Sequence, residues 1–266
     1  MRRSIIALTT DFGEDDFFVP SLKGVIASIN PSARVFDVTH NIPSFDVLAG
    51  SFVLFAAYRY FPKKTIFLTV VDPGVGSNRK ILLVETKRYF FIAPDNGVLS
   101  LALGEEEVSQ IRDVSNPKYF LRQKGVTFEG RDRMAPVSAW LSHGIFPEEF
   151  GPEVTRYKKI RMSKPVEKAD EILGVVLYRD KFGNLITNIP VQLIESYLSR
   201  HPKTALQMIV GDKIIMLGES YSDVQRGEPV FLFGSLGLVE IAVREGSASK
   251  RLNITPKQAL KFKMIK

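Results

Sequence analysis

An aspartate directly after a buried strand, followed by an arginine across a glycine-rich loop, is the pair in this chain whose placement first suggests chemistry. Ile66 to Val71 is nearly all apolar and β-prone, the pattern of a strand covered on both faces. It breaks at Asp72-Pro73-Gly74, where proline fixes φ and glycine turns the chain at little steric cost. Open α/β sheets keep their chemistry just past the carboxyl ends of such strands, which places Asp72 and then Arg79 at a reactive rim. The competing reading is an ordinary turn with a solvated arginine. Asp11 ends another short apolar run, Ile5 to Thr9, and more acids (Glu14, Asp15, Asp16) follow at once. Acids ahead of a helix offset the positive end of its dipole, which accounts for Asp15 or Asp16 better than for Asp11. A strand-end carboxylate with acids beside it can also hold a ribose diol or an ammonium group. A third charged cluster, Glu129-Gly130-Arg131-Asp132-Arg133, stands before a helical segment. Either Asp132 caps that helix, or the cluster is a second rim facing the first.

The elements that must carry these residues alternate through the first half. Strands are expected at Ile5–Thr9, Ala33–Val38, Ile66–Val71, Lys80–Glu85, Tyr89–Ala93 and Ile111–Val114. Helices are expected from Phe17 to Ile29, with Pro20 in the first turn, from Asp46 to Tyr60, and over Val98–Leu103 and Ala135–His143. Strand–helix alternation of this kind builds a mainly parallel sheet with helices on it. Residues 151 to 170, rich in Lys, Glu and Pro, read as a linker. Short strands then recur at Ile172–Tyr178, Leu185–Asn188, Leu206–Val210, Lys213–Leu217, Pro229–Phe233 and Leu238–Val243, with turns such as Gly211-Asp212 between them. That spacing points to an antiparallel barrel or sandwich. The expected organisation is an α/β domain over 1–165 and a β-barrel domain over 166–266.

Composition narrows the functional classes. The 266 residues carry 36 Lys+Arg against 29 Asp+Glu, a net charge of +7 spread too thinly for a nucleic-acid arm. Cysteine is absent, so disulfides and thiolate metal sites are excluded. The three histidines, His40, His143 and His201, have no metal-ligand spacing, and His40 reads as a hydrogen-bonded structural residue at a strand end. No apolar run reaches membrane-spanning length, and a cytoplasmic protein without metal is expected. Gly74-Val75-Gly76 lacks the third glycine and the following helix of a dinucleotide fingerprint. Gly234-Ser235-Leu236-Gly237 lacks the spacing of a nucleophile elbow.

Seven motifs in order carry a resemblance. They are Thr9-Thr10-Asp11-Phe12-Gly13, Lys23-Gly24-Val25-Ile26, Val71-Asp72-Pro73-Gly74-Val75-Gly76, Ala93-Pro94-Asp95-Asn96-Gly97, Gly130-Arg131-Asp132, Phe182-Gly183-Asn184 with Thr187-Asn188, and Gly234-Ser235 with Gly237 through Ala242. Together they resemble the S-adenosylmethionine (SAM) hydroxide adenosyltransferases, SAM hydrolases related to fluorinase and chlorinase. The resemblance implies an N-terminal α/β domain, a C-terminal β-barrel and a homotrimer whose sites lie between the first domain of one subunit and the second of its neighbour. It implies attack of water or hydroxide at ribose C5′, with adenosine and methionine as products and no cofactor beyond the substrate. It assigns Asp11 to the ribose hydroxyls, Asp16 to the ammonium of the methionine part, and Asp72 with Arg79 to the attacking water. It assigns Phe182 to stacking on adenine or ribose, Asn184, Ser235 and Glu240 to the adenine or methionine end, and the backbone near Val243 to the adenine edge.

Two positions depart from the family pattern. Glu129 stands where the hydrolases carry the histidine of a Phe-His-Gly-Arg-Asp stretch, either as a base or as a partner of Arg79, and Pro20 replaces a small residue. A carboxylate beside Asp72 raises the proton affinity of one of the two. Turnover impaired by Glu129, leaving an adenosine or SAM binder, is the alternative from another functional class. A SAM-dependent halogenase is disfavoured, because no inserted loop separates Asn78 from Tyr89 and halide-using relatives lack the arginine that Arg79 matches.

Overall fold

The computed structural model describes residues 4–121, 127–168, 171–201, 205–210 and 213–265, and divides the chain into two compact units, Met1–Ile160 and Arg161–Lys266. Among its described residues the first unit holds six strands: β1 (Ile5–Thr10), β2 (Arg34–Thr39), β3 (Ile66–Val70), β4 (Ile81–Thr86), β5 (Phe90–Pro94) and β6 (Val108–Asp113). They line up as β2-β1-β3-β5-β4-β6. The first four in that row are parallel, whereas β4 runs antiparallel to both β5 and β6. Four helices accompany them: α1 (Phe18–Ile29), α2 (Val47–Ala57), α3 (Ser100–Leu103) and α4 (Ala135–Ser142).

The order of connection matters more than the strand count. From β1 the chain passes through α1 to β2 on one side, then through α2 to β3 on the other side of β1. The direction of winding therefore reverses between β1 and β3, and at such a switch point the strand ends part to leave a crevice. Leu22 and Ile26 of α1 and Ala135, Val137 and Ala139 of α4 pack with Ile6, Leu8, Leu68 and Val70 in one core. Residues 151–160, expected as linker, are bound along this unit: Val154 N–H donates to Ile111 O (2.9 Å), Lys158 N–H to Asp95 Oδ1 (2.7 Å) and Ile160 N–H to Ser100 Oγ (2.8 Å). Docking through backbone N–H donors in this way needs no apolar period, so composition did not reveal it.

The second unit is an antiparallel sheet built from β7 (Val166–Glu167), β8 (Glu171–Arg179), β9 (Leu185–Pro190), β10 (Ala205–Val210), β11 (Lys213–Met216), β12 (Pro229–Phe233), β13 (Leu238–Val243) and β14 (Ala259–Ile265). Its order is β11-β10-β14-β8-β9-β13-β12, with β7 paired to β8. The two ends of that row meet at Leu217 and Phe231, where Gly218 N–H donates to Phe231 O at 3.0 Å, so the sheet closes almost into a barrel. The expected α/β unit and antiparallel barrel are both present.

Elements outside the sequence expectation are β7, which falls in the expected linker, β14, and two helices, α5 (Val191–Arg200) and α6 (Ala248–Leu252). Helix α5 buries Val191, Ile194 and Tyr197, one face at helical spacing, and β14 turns Leu260 and Phe262 into the core. The Gly211-Asp212 turn and the end of the expected linker at 169–170 lie outside the described residues. Among those described, no helix is long and apolar enough to cross a membrane.

Candidate active site

Parallel pairing of β1 with β3 brings the first two acids together. Thr10 is in register with Val70, so Asp11 and Asp72 leave the sheet side by side at the switch-point crevice. Asp11 Oδ2 accepts the Phe45 N–H at 2.9 Å, and Asp72 Oδ1 accepts the Gly74 N–H at 3.2 Å, which anchors both side chains at their loops. His40, at the end of β2, is buried and structural as expected, 2.9 Å from Thr10 Oγ1 and 3.0 Å from Asp37.

Arg79 is not a solvated turn residue. Its side chain is 4% exposed, and its Nε donates to Asp72 Oδ1 and Oδ2 at 2.6 and 2.7 Å. Its Nη2 donates to Asp72 Oδ2 and, at 2.6 Å, to Glu129 Oε2. Glu129 comes from the segment that leads through a π-helical turn, Gly130–Met134, into α4. The turn approaches β3 closely: a Cβ on Gly130 would lie 3.3 Å from Val70 Cγ1. Of the two readings of this cluster, the second rim facing the first is the observed one. Asp132 does not cap α4; it is buried and pairs with its neighbour Arg131.

Asp11, Asp72 and Glu129 line one cavity of about 280 Å³, together with Phe12, Phe18, Phe45 and Phe128. The aromatic wall is continuous, with Phe128 edge-on to Phe12 at 5.7 Å and to Phe18 at 5.1 Å. Burial raises the pKa of Asp11, opposed by the Phe45 N–H and reinforced by the nearby Asp72 charge. Burial pushes Glu129 the same way, but hydrogen bonds from Arg133 and Arg79 outweigh it and hold Glu129 below its ordinary range. For Arg79, burial works against the charge, yet Asp72 and Glu129 hold its pKa above the usual value. Arg79 Nη1 is buried with no hydrogen-bond partner among the described residues. Arg79 itself does not line the cavity; it lies behind Asp72 and Glu129, which do. Asp16 stands apart from this group: it is exposed, accepts the Phe17 N–H at 2.7 Å and does not line the cavity.

The residues expected from the barrel form their own group in the second unit. Phe182, Asn184 and Val243 line an open cavity of about 670 Å³ with Tyr221 and Arg244. Asp180 shapes its rim by accepting the N–H groups of Phe182 and Asn184 (2.9 and 2.8 Å) and the Asn184 side-chain amide (3.1 Å). Phe182 is thereby displayed with 74% of its surface exposed, a free aromatic face. Glu240 accepts the Tyr221 hydroxyl at 2.7 Å and sits against Gly234, Ser235 is exposed at the β12–β13 turn, and neither residue lines the cavity. Burial raises the pKa of Glu240, and burial with the Glu240 bond pushes Tyr221 up to about 12. Sequence reasoning passed over Tyr221, Asp180 and the phenylalanine wall, and gave Arg133 no role of its own within its charged cluster. Asp180 was the most legible of these, since Asp two residues before a Phe-Gly-Asn turn is a recurrent side-chain-to-backbone motif. Among the described residues no three His, Asp or Glu groups converge as a metal site.

Comparison with known proteins covers both units. Residues 6–151 match the SAM hydroxide adenosyltransferase N-terminal domain, and residues 174–261 match the C-terminal domain of that name. A Salinispora arenicola protein named (R)-S-adenosyl-L-methionine hydrolase is 34% identical over 261 residues, covering 96% of each chain. A fluorinase from an Actinoplanes species is 28% identical, covering 90% of each chain. The crystal structure of an uncharacterized conserved protein from Thermotoga maritima superposes with a TM-score of 0.88 at 37% identity, over 97% of this chain and 99% of that one.

Proposed function

The chain belongs to the SAM hydroxide adenosyltransferase family, and on that premise we propose that it hydrolyses S-adenosyl-L-methionine to adenosine and L-methionine. The observation that carries this reading is the cavity lined by Asp11, Asp72 and Glu129, with Arg79 clamped behind it between Asp72 and Glu129. A sulfonium leaves as a neutral thioether and needs no acid to help it, so the protein's task is to align and partly desolvate the nucleophile. Asp72 orients the attacking water toward ribose C5′, and Arg79 supplies positive charge as the water gains hydroxide character. Negative charge around the cavity favours a cationic substrate and disfavours a halide in the nucleophile's place. This bears against the halogenase alternative, as does the lower identity to the fluorinase.

In this reading Asp11 holds the ribose hydroxyls, and Asp16 meets the ammonium of the methionine part. Phe182 stacks on the adenosyl group, Asn184, Ser235 and Glu240 serve its adenine or methionine end, and the backbone at Val243 reads the adenine edge. No cofactor is required. The working form is a homotrimer in which neighbouring subunits both contribute to each site, a proposal supported by the family resemblance. The exposed Phe17, Phe45 and Val75, at 60, 69 and 44% of their surface, support the same view, being apolar area that association would cover. A cysteine-free chain suits the cytoplasm.

The test is direct. Purified protein is incubated separately with the (R) and (S) sulfonium epimers of SAM in ¹⁸O-labelled water, and the products are separated and weighed. The expected result is adenosine labelled at its 5′ oxygen plus methionine, with the (R) epimer preferred as in the name of the Salinispora relative. Bound but intact SAM would favour the binding protein, and 5′-halogenated nucleoside formed in the presence of halide would favour the halogenase.

A further inference from the structure

We propose that Arg133 is a positioning residue for the reaction: by clamping one oxygen of Glu129 it turns the other oxygen onto Arg79. The proposal deepens the hydrolase reading and rests on it. Arg133 Nη1 donates to Glu129 Oε1 at 2.5 Å, while Glu129 Oε2 accepts from Arg79 at 2.6 Å. Arg133 has two further anchors that do not involve Glu129. Its Nη2 donates to the Val114 carbonyl at 2.8 Å, and its guanidinium lies 4.7 Å over the Phe120 ring. A guanidinium held at those two points presents a preset donor, so Glu129 finds its orientation already defined.

The result is an alternating line of charge, Asp72, Arg79, Glu129, Arg133, in which each interior group touches two opposite charges. The groups facing Glu129 are Arg79 and Asp72 from the loop after β3, Asp11 across the cavity from the end of β1, and Arg133 on its own turn. Arg131 is turned to Asp132, and Asp113, beside Val114, lies 3.7 Å from Lys80. Without Arg133, Asp72 and Glu129, at 5 and 6% side-chain exposure, would share a single cation. Two carboxylates so placed cannot both stay ionised easily, and one takes up a proton. Arg133 itself does not line the cavity, so its removal should reach turnover through Glu129 rather than through substrate contacts.

The experiment measures kcat and KM for SAM against pH in the wild type, Arg133→Gln and Arg133→Lys. In parallel, the Glu129 carboxyl is titrated by ¹³C NMR in the whole protein and assigned with Glu129→Gln. Loss of Arg133 should move the Glu129 midpoint and the acid limb of kcat to higher pH together, by about one unit or more. KM should stay within about twofold, because no substrate contact is removed. Arg133→Lys keeps the charge but not the fork, and should shift both in the same direction by less. The double variant Glu129→Gln/Arg133→Gln should be no slower than Glu129→Gln alone, since the two act as a unit. An acid limb that does not move, or losses that simply add in the double variant, would overturn the proposal. Should Arg133→Gln fold poorly, an Arg133→Lys titration identical to wild type has the same force. If the wild type releases no adenosine from either epimer, the hydrolase reading falls, and the NMR midpoint alone then decides whether Arg133 governs Glu129.

Discussion

Arg79 donates to two carboxylates, Asp72 and Glu129, which differ in what else they hold. Asp72 shares its oxygens between Arg79 and the Gly74 N–H at the cavity wall, whereas Glu129 is pinned by two arginines. Asp72→Asn should therefore lower kcat by about 10²- to 10⁴-fold, the usual worth of a positioned proton acceptor, while adenosine affinity measured by calorimetry changes little. An unchanged kcat would remove Asp72 from the chemistry. Asp11 and Glu129 titrate in opposite senses from their ordinary values, because burial dominates for the first and two cations dominate for the second. On acidification Asp11 therefore takes its proton at a higher pH than a free aspartate does, and Glu129 at a lower pH than a free glutamate. KM for SAM should accordingly begin to rise above the ordinary aspartate range, whereas kcat should hold to below the ordinary glutamate range before it falls through Glu129. The pH profiles of the two constants check this, and a KM that stays flat until below the ordinary aspartate range would contradict the assignment of Asp11 to the ribose.

Two short turns do most of the positioning, and each depends on a glycine. At Gly130 the missing side chain lets the π turn lie against Val70 and so carries Glu129 to Arg79. At Gly183 the backbone has φ of +89°, and a Cβ there would fall 2.1 Å from Ser247 Oγ and 3.1 Å from Ser247 Cα. Both the left-handed backbone and the contact penalise any larger residue. Gly183→Ala should cost about 1–3 kcal/mol in chemical denaturation, the range for a strained backbone position. It should also weaken adenosine binding, because Phe182 and Asn184 flank the displaced residue. Full affinity with lowered stability would separate this turn from ligand binding.

Across the whole molecule, the proposed trimer turns the two cavities into parts contributed by different copies of a 29.9 kDa chain. Complementation tests this: Asp72→Ala and Asn184→Ala, each inactive alone, should recover part of the wild-type rate when their subunits are exchanged. Sedimentation of the mixture should show three-chain particles, and a monomeric enzyme of full activity would rule the shared site out.

The sequence by itself determined the strands of the first unit, their order of alternation with helices, and the strand-end acids Asp11 and Asp72. Those features follow from local rules, the two-residue and 3.6-residue apolar periods and the residues that interrupt them. Ordered motifs also pointed to the family and to the barrel. The reversal of winding between β1 and β3, by contrast, comes from strand order, and no single stretch encodes that order. It is what sets Asp11 beside Asp72. Glu129 stands 50 residues from Arg79, and its meeting with that arginine depends on how α4 packs over β3. Arg133 belongs to a charged cluster visible in the sequence, but its anchors on the Val114 carbonyl and the Phe120 ring come only from the fold. Charge pairing in a buried site is decided by which groups share a dry space, and only the tertiary structure says which groups those are.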